Sequence, residues 1–406
     1  MPDLDRKPRL LVLASTYPRW AGDPEPGFVH ELSRRLTQHF DVWVLAPHAP
    51  GAASAEMLDG VNVRRYRYAP ERLETLVHNG GIAVNLSRAR WKLLLVPGFL
   101  LMQLLMLERL HRRYRYDVLH AHWLIPQGLC AAVFRSLGGR APFIVSSHGA
   151  DVFALHGQVF AHLRRFVTNN AAKVGVVSEA LSRKLKLEGI EPTRVQVMPM
   201  GVDLSERFVP SLQGIQRDSL LFVGRLVEKK GVSQLIEALS LIVRRKPQVR
   251  LSIVGTGPEF QLLRQLAQDL KLAQNVIFIG AVHQQELPQW YSAAAVVVAP
   301  FVEAESGDQE GLGLVVLEAL ACGRPVIVGN VEATRELPSQ VPGLFRVNAR
   351  DPGLLAAAIL EVLEDPTINS ATSVQARVQA ASRWDWRIVV RDYTQVLLDA
   401  FAGQRP

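Results

Sequence analysis

AVVVAPFVEAESGDQEGLGLVVLEALACGRPVIVG, residues 295–329, decides the fold. It opens on an apolar β-branched run, AVVVAP at 295–300, and passes through an acidic loop containing glycines. A helical pattern begins near Leu312, and a second apolar run, PVIVG, follows at 325–329. Apolar runs of this length without alternation belong to strands buried on both faces. Strand, helix and strand in that order make a βαβ unit, whose strands are parallel.

The same alternation extends in both directions. The second half also holds SLLFVG (219–224), VRLSIVG (249–255) and NVIFIG (275–280). The first half holds RLLVLA (9–14), DVWVLA (41–46), VNVRRY (61–66), DVLH (117–120), PFIVSS (142–147), KVGVVS (173–178) and RVQVMP (194–199). Helical segments such as 231–245 and 312–322 fill the intervals. The pattern lapses over 203–217, where Pro210 and Gly214 sit among polar residues, and then restarts. We expect an α/β chain in which a doubly wound parallel fold occurs twice. A last helix is expected over residues 384–400, with Trp384 and Trp386 at its start as packing anchors.

With 406 residues, 48% hydrophobic and 21% charged, the chain is long enough for two ordinary α/β cores. Its two cysteines, Cys130 and Cys322, have neither metal-ligand spacing nor the number a disulfide scaffold needs. They fit a reducing cytoplasm. The apolar run Leu10 to Ala14 is too short for a signal peptide and reads as a strand. The net charge of +8 is unevenly spread. Residues 1–200 carry 26 Lys/Arg against 16 Asp/Glu, whereas residues 201–406 carry 20 against 22. A basic half points to an anionic partner (a membrane surface, a phosphorylated lipid or nucleic acid) or to a solvated arginine-rich face. Nucleic acid is not expected, because no basic motif interleaved with aromatics is present.

SRARWKLLLVPGFLLMQLLMLERLHRRYRY (87–116) holds seven Lys/Arg and one Glu. Pro97-Gly98 and Gln103 break its apolar stretch, which falls short of the ~18 residues of a membrane span. Two readings stand. Residues 99–110 form a helix buried in the core, or the segment is a basic-flanked amphipathic surface that meets an anionic leaflet.

The chemistry concentrates around 306–329. Gly311 and Gly313, where the helix begins, allow close approach of a ligand to the backbone. Free N–H groups at a helix N-terminus suit a diphosphate. Glu310 and Glu318 have seven residues between them. On one helix that is a span of ~12 Å, which matches a sugar at one end of a diphosphate and a ribose at the other. The cations that a diphosphate needs are in LFVGRLVEKKGVSQLIEAL (221–239). Arg225 follows a strand end, where open α/β sheets bind ligands, and Lys230 precedes a glycine and a helix. Arg offers a planar fork and Lys a point charge for phosphate oxygens.

GRLVEKKG, EGLGLVVLEALACGRPVI and MGVD (200–203) resemble the family-4 retaining glycosyltransferases of GT-B fold, and the likeness runs through most of the chain. That resemblance implies two Rossmann-like domains facing a cleft. One is 1–205, on the acceptor side and joined by the C-terminal helix 384–406; the other is 206–383, which binds the nucleotide sugar. Arg225 and Lys230 would neutralise the donor diphosphate. Glu310 would contact the transferred sugar or its phosphate, and Glu318 the ribose. Gly311, Leu312 and the amides of Gly313 and Leu314 would cap the phosphates. The base would lie near Ala281 and Val282 and the VGTGPE turn (254–259), which lacks the GxGxxG fingerprint of a nicotinamide site.

In the first half, YPRWAGDPEPGFVHELSRRL (17–36) resembles the family's Gly-rich loop, which faces the donor phosphates. Most members have two adjacent glycines there; this chain has Gly27 followed by Phe28. SSHGADVF (146–153) is similar to the family's HGxD arrangement, so His148 would contact the transferred sugar or the leaving phosphate, with Asp151 nearby. His120 and His122 in DVLHAHW share one face of a strand, but a third metal ligand is not evident. Strand-end packing is favoured for this pair, with His122 lining the acceptor side.

The implied activity is transfer of a hexose from GDP-mannose or a UDP-hexose, with retention, to a glycan or a polyprenyl- or other lipid-linked acceptor, as in bacterial cell-surface glycan or glycolipid synthesis. No cofactor or essential metal is expected, because basic side chains and helix ends supply the electrostatics. The setting would be cytoplasmic, peripheral at the inner face of the membrane. The rivals are a GT-B epimerase, a phosphorylase, for which no pyridoxal-phosphate lysine motif stands out, and a silent nucleotide-sugar- or lipid-binding protein.

Overall fold

A computed structural model describes residues 6–23, 27–78, 81–211, 214–337, 341–365, 367–368 and 370–403. Parts of four expected segments lie outside the described residues: 1–5 of the first domain, 24–26 of the 17–36 loop, 212–213 of the boundary, and 404–406 of the last segment. The chain divides into two units. One is Met1–Met200 with Arg387–Pro406, and the other is Gly201–Trp386. The sequence reading drew these limits at 205/206 and 383/384.

The first unit holds β1 (Arg9–Leu13), β2 (Asp41–Pro47), β3 (Ala55–Leu58), β4 (Val61–Tyr66), β5 (Val118–His122), β6 (Phe143–Ser147), β7 (Lys173–Val176) and β8 (Val195–Val197). They form one sheet in the order β3-β4-β2-β1-β5-β6-β7-β8. All neighbours are parallel except β3, which runs antiparallel to β4. The second unit holds β9 (Gln216–Val223), β10 (Arg250–Val254), β11 (Val276–Gly280), β12 (Ala294–Ala299), β13 (Val326–Gly329) and β14 (Leu344–Val347). Its sheet is parallel throughout, in the order β11-β10-β9-β12-β13-β14. The order reverses between β9 and β12, which is where open α/β sheets bind ligands.

Strand β9 shows why two cores form. Leu220 and Phe222 face one, with Leu235, Ile236 and Leu239 of the helix Val232–Ile242. Leu221 and Val223 face the other, with Leu317 and Leu320 of the helix Leu314–Ala321. Each such side chain, fully buried, contributes about 1.5–3 kcal/mol.

Helix limits differ from expectation for local reasons. Gly231 and Gly313 have φ of +68° and +77°, outside helical space, so the helices begin just after them, at Val232 and Leu314, one and two residues later than the expected 231 and 312. The last helix is Trp386–Ala402, not 384–400. Asp385 is extended and bridges to Val202, which stops the preceding turn Ser382–Trp384. Trp384 and Trp386 are both buried. A Cβ on Gly201 would lie 2.5 Å from the Trp386 ring, which accounts for the glycine of MGVD.

The helix Leu95–Tyr114 corrects the core reading of 99–110, because only one stripe is buried. Phe99, Gln103, Leu107 and Leu110 face inward at helical spacing. Gln103 Oε1 accepts hydrogen bonds from Tyr66 Oη and Cys130 Sγ. On the other side Trp91, Leu94, Leu101 and Leu105 are exposed, Leu94 by 81%. Arg88, Arg90, Arg109, Arg112 and Arg113 are exposed around them. The segment Arg90–Tyr114 has the length and apolarity to cross a membrane, contrary to the sequence estimate, but its inward stripe is part of this unit's core.

Candidate active site

The loops that leave β9 and β12 meet where the sheet order reverses. Lys230 Nζ lies 2.7 Å from Glu310 Oε2 and 4.7 Å from the centre of the Phe301 ring. Glu310 Oε1 accepts 3.3 Å hydrogen bonds from the amides of Gly311 and Gly313. Burial opposes ionisation of Glu310, but the charges of Lys230 and Lys229 outweigh it and hold its pKa down to about 2. Glu310 therefore occupies amides that the sequence reading left free for a diphosphate. It lies in the loop, not on the helix, so the ~12 Å helical span to Glu318 does not apply.

Gly231 must be glycine. A Cβ there would sit 1.9 Å from the carbonyl oxygen of Pro300, at a φ that L-residues avoid. This close approach brings the two loops together. Leu312 is buried behind the loop, and Leu314, the first helical residue, is partly exposed. Arg225 is exposed just beyond the end of β9.

Glu318 is buried on the helix, and its Oε2 accepts a 2.7 Å hydrogen bond from Tyr291 Oη. Burial raises its pKa; the Tyr291 bond and the charges of Arg207 and Lys230 pull the other way. Two polar partners escaped the sequence reading: Tyr291, and Lys229, whose ammonium meets Asp308 and the Gln309 carbonyl. The doubled lysine of EKKG was the available signal for Lys229; nothing in LPQWYSA marked Tyr291.

On the β11 side, Ala281 is exposed and Val282 partly buried, immediately past the strand end. The 254–259 turn is fastened to its neighbours: Gly255 N donates to Gly280 O at 2.8 Å, and Leu226 N donates to Thr256 O at 2.9 Å. Arg225, this turn and Ala281–Val282 thus follow the carboxyl ends of adjacent strands β9, β10 and β11. A cavity of about 310 Å³ lies past β12 and β13, lined by Glu303, Gln309, Asn330, Glu332, Arg335 and Arg350 among others.

The first unit holds a separate cluster. His122 Nδ1 lies 2.9 Å from His148 Nε2 with the rings nearly parallel, and the His120 ring is 4.1 Å from that of His122. Burial lowers all three pKa values, to about 3 for His120 and His148. The rings are neutral at pH 7, and one proton lies between His122 and His148. Phe28 and Trp123 pack on His148 at 4.8 and 5.1 Å, and Gly27 precedes the helix Phe28–Leu36. His120 Nε2 meets Ser146 Oγ at 2.9 Å, Ser146 Oγ lies 3.4 Å from Tyr393 Oη, and Tyr393 donates to Met198 O. Asp151 is buried, and its oxygens accept from Leu124 N and Ser147 Oγ. It therefore braces the turn after β5. Among the described residues, no three His, Cys, Asp or Glu side chains are placed to share a metal ion.

Paired cations and carboxylates thus stand at the reversal of a parallel sheet, the place where open α/β folds bind ligands. Residues 28–206 match the model of Glycosyltransferase Family 4, and residues 217–365 match that of Glycosyl transferases group 1. The chain is 32% identical over 273 residues to a GDP-mannose-dependent alpha-(1-6)-phosphatidylinositol monomannoside mannosyltransferase of Mycolicibacterium smegmatis, covering 64% of this chain and 71% of that one. It is 30% identical to a D-inositol 3-phosphate glycosyltransferase of Frankia alni, over 92% and 94% of the two chains. Sucrose-phosphate synthase from Thermosynechococcus elongatus shares the fold, with a TM-score of 0.78 at 22% identity over 98% of this chain and 100% of that one. The chain belongs to the family-4 glycosyltransferases of GT-B fold. It is a nucleotide-sugar-dependent glycosyltransferase.

Proposed function

We propose that this enzyme transfers a hexose, with retention, from GDP-mannose or a UDP-hexose to a lipid-linked or glycan acceptor in cell-surface glycan or glycolipid synthesis. The observation that carries the reading is the Lys230–Glu310 pair at the reversal of the second sheet. Lys230 and Arg225 take the diphosphate, Glu310 is released toward the sugar, and Glu318 accepts from the ribose hydroxyls. The bond between the anomeric carbon and the phosphate oxygen breaks, and its electron pair stays on the diphosphate. The acceptor oxygen attacks the same face and gives its proton to the leaving phosphate. His148, neutral and held by His122, hydrogen-bonds the transferred sugar. No metal or cofactor takes part in this reading, because lysine and arginine stabilise the leaving charge.

A lipid-linked acceptor is supported by the exposed Trp91–Leu105 face with its arginines, and by the mannosyltransferase and inositol relatives. The reading places the enzyme at the cytoplasmic face of a membrane. Thermal shift with a panel of nucleotide sugars identifies the donor, since a ligand selective for the folded state raises Tm. NMR of the product then reads the anomeric configuration, and Glu310→Ala abolishes transfer. Full activity in that variant, or an inverted product, overturns the reading.

A further inference from the structure

Three consecutive residues tie the loop after β9 to the loop after β12. Glu228 Oε1 accepts from Glu305 N at 2.7 Å. Lys229 O accepts from Val302 N at 3.0 Å, and its ammonium reaches the other loop as well. Lys230 pairs with Glu310. The two lysines are adjacent in sequence, yet their partners differ in kind. Lys229 Nζ lies 3.1 Å from Asp308 Oδ1, 3.0 Å from Asp308 Oδ2 and 3.0 Å from Gln309 O. Of the three N–H donors of an ammonium, Lys229 commits one to Asp308 Oδ1 and one to the Gln309 carbonyl, and both carboxylate oxygens of Asp308 lie beside its charge. Lys230 instead lies on an aromatic face with a carboxylate that a phosphate oxygen can replace.

We propose that Lys229 is a positioning residue. It latches the 301–313 loop in the shape that presents Glu310, while Lys230 is the cation that changes partner when a diphosphate arrives. The second half of this statement rests on the proposed donor site; the first does not. Exchanging Glu310 for phosphate on Lys230 removes one of the ties between the loops. The bonds through Lys229 and Glu228 persist through that exchange, so the loop stays ordered while Glu310 is freed. Without Lys229, Asp308 loses its counter-charge, and the loop must be reordered at the expense of donor binding.

Amide hydrogen exchange across residues 301–313, measured without donor, tests the latch. Lys229→Gln and Asp308→Asn, which cut the same bond from its two sides, should each speed exchange there by about tenfold or more, while Lys230→Gln changes it by less than about threefold. Lys229→Arg should retain most of the protection. In turnover, Lys229→Gln should raise the donor KM about tenfold with kcat within about threefold. Unchanged exchange in Lys229→Gln and Asp308→Asn, or equal loosening in Lys230→Gln, overturns the proposal, as does a fall confined to kcat. Calorimetry of the wild type with GDP and UDP separates the two readings. If neither nucleotide binds, the donor site is misplaced, and the exchange data still decide the latch.

Discussion

The hydroxyl of Tyr291 donates a 2.7 Å hydrogen bond to Glu318 across 27 residues of sequence, and both groups are buried. It fixes one carboxylate oxygen and opposes the burial that raises the pKa of Glu318. Tyr291→Phe should therefore weaken donor binding about 10- to 150-fold, as expected for loss of a hydrogen bond to a charged group. The pKa of Glu318 should rise further in the variant. The acid limb of donor affinity against pH then moves to higher pH, which calorimetry at several pH values will show.

The three buried histidines set a pH dependence for stability. The unfolded chain protonates them near 6.5, but the folded chain resists down to about 3 for His120 and His148. Their stabilisation is full above pH 6.5 and is lost as pH falls from there toward 3. Between pH 6.5 and 5.5 the three together should cost roughly 2–3 kcal/mol. Chemical denaturation followed through the first unit should show this slope, and His148→Asn should flatten it.

Leu94, Leu101 and Leu105 present an apolar stripe edged by arginines. Replacing all three with Asp should reduce flotation with anionic liposomes at least about tenfold, and salt should weaken wild-type binding. Transfer to a short soluble acceptor should persist in the variant. Absence of wild-type binding to anionic liposomes at low salt would remove the membrane reading.

Gly231→Ala places a methyl 1.9 Å from Pro300 O at a left-handed φ. We expect a loss of about 2–4 kcal/mol in stability of the second unit, together with loss of donor binding, both measurable by thermal melts with and without nucleotide.

Most of the strands were legible because they are buried on both faces and so carry continuous apolar runs. β3 escaped because only Leu58 of its four residues is buried, and β14 because three of its four are only partly so. Glu310, Glu318, Arg225 and Lys230 were legible as candidates through motif spacing. Their geometry was not, since the helix starts only after the left-handed Gly313. Lys229 and Asp308 lie 79 residues apart, and only the reversal of strand order makes them neighbours. His122 was seen as a strand residue, but its bond to His148 depends on the pairing of β5 with β6.

The first unit is built from both ends of the chain: residues 387–406 belong with 1–200. Tyr393, which joins Ser146 to Met198, is therefore synthesised after all of residues 201–386. At ordinary ribosomal speeds that delay is roughly 10 to 40 s. The half of the enzyme that emerges first must wait, unfinished, while the second unit is made. Tyr393, which packs against His120 and Ser146, joins its buried histidine cluster only when the last helix leaves the ribosome.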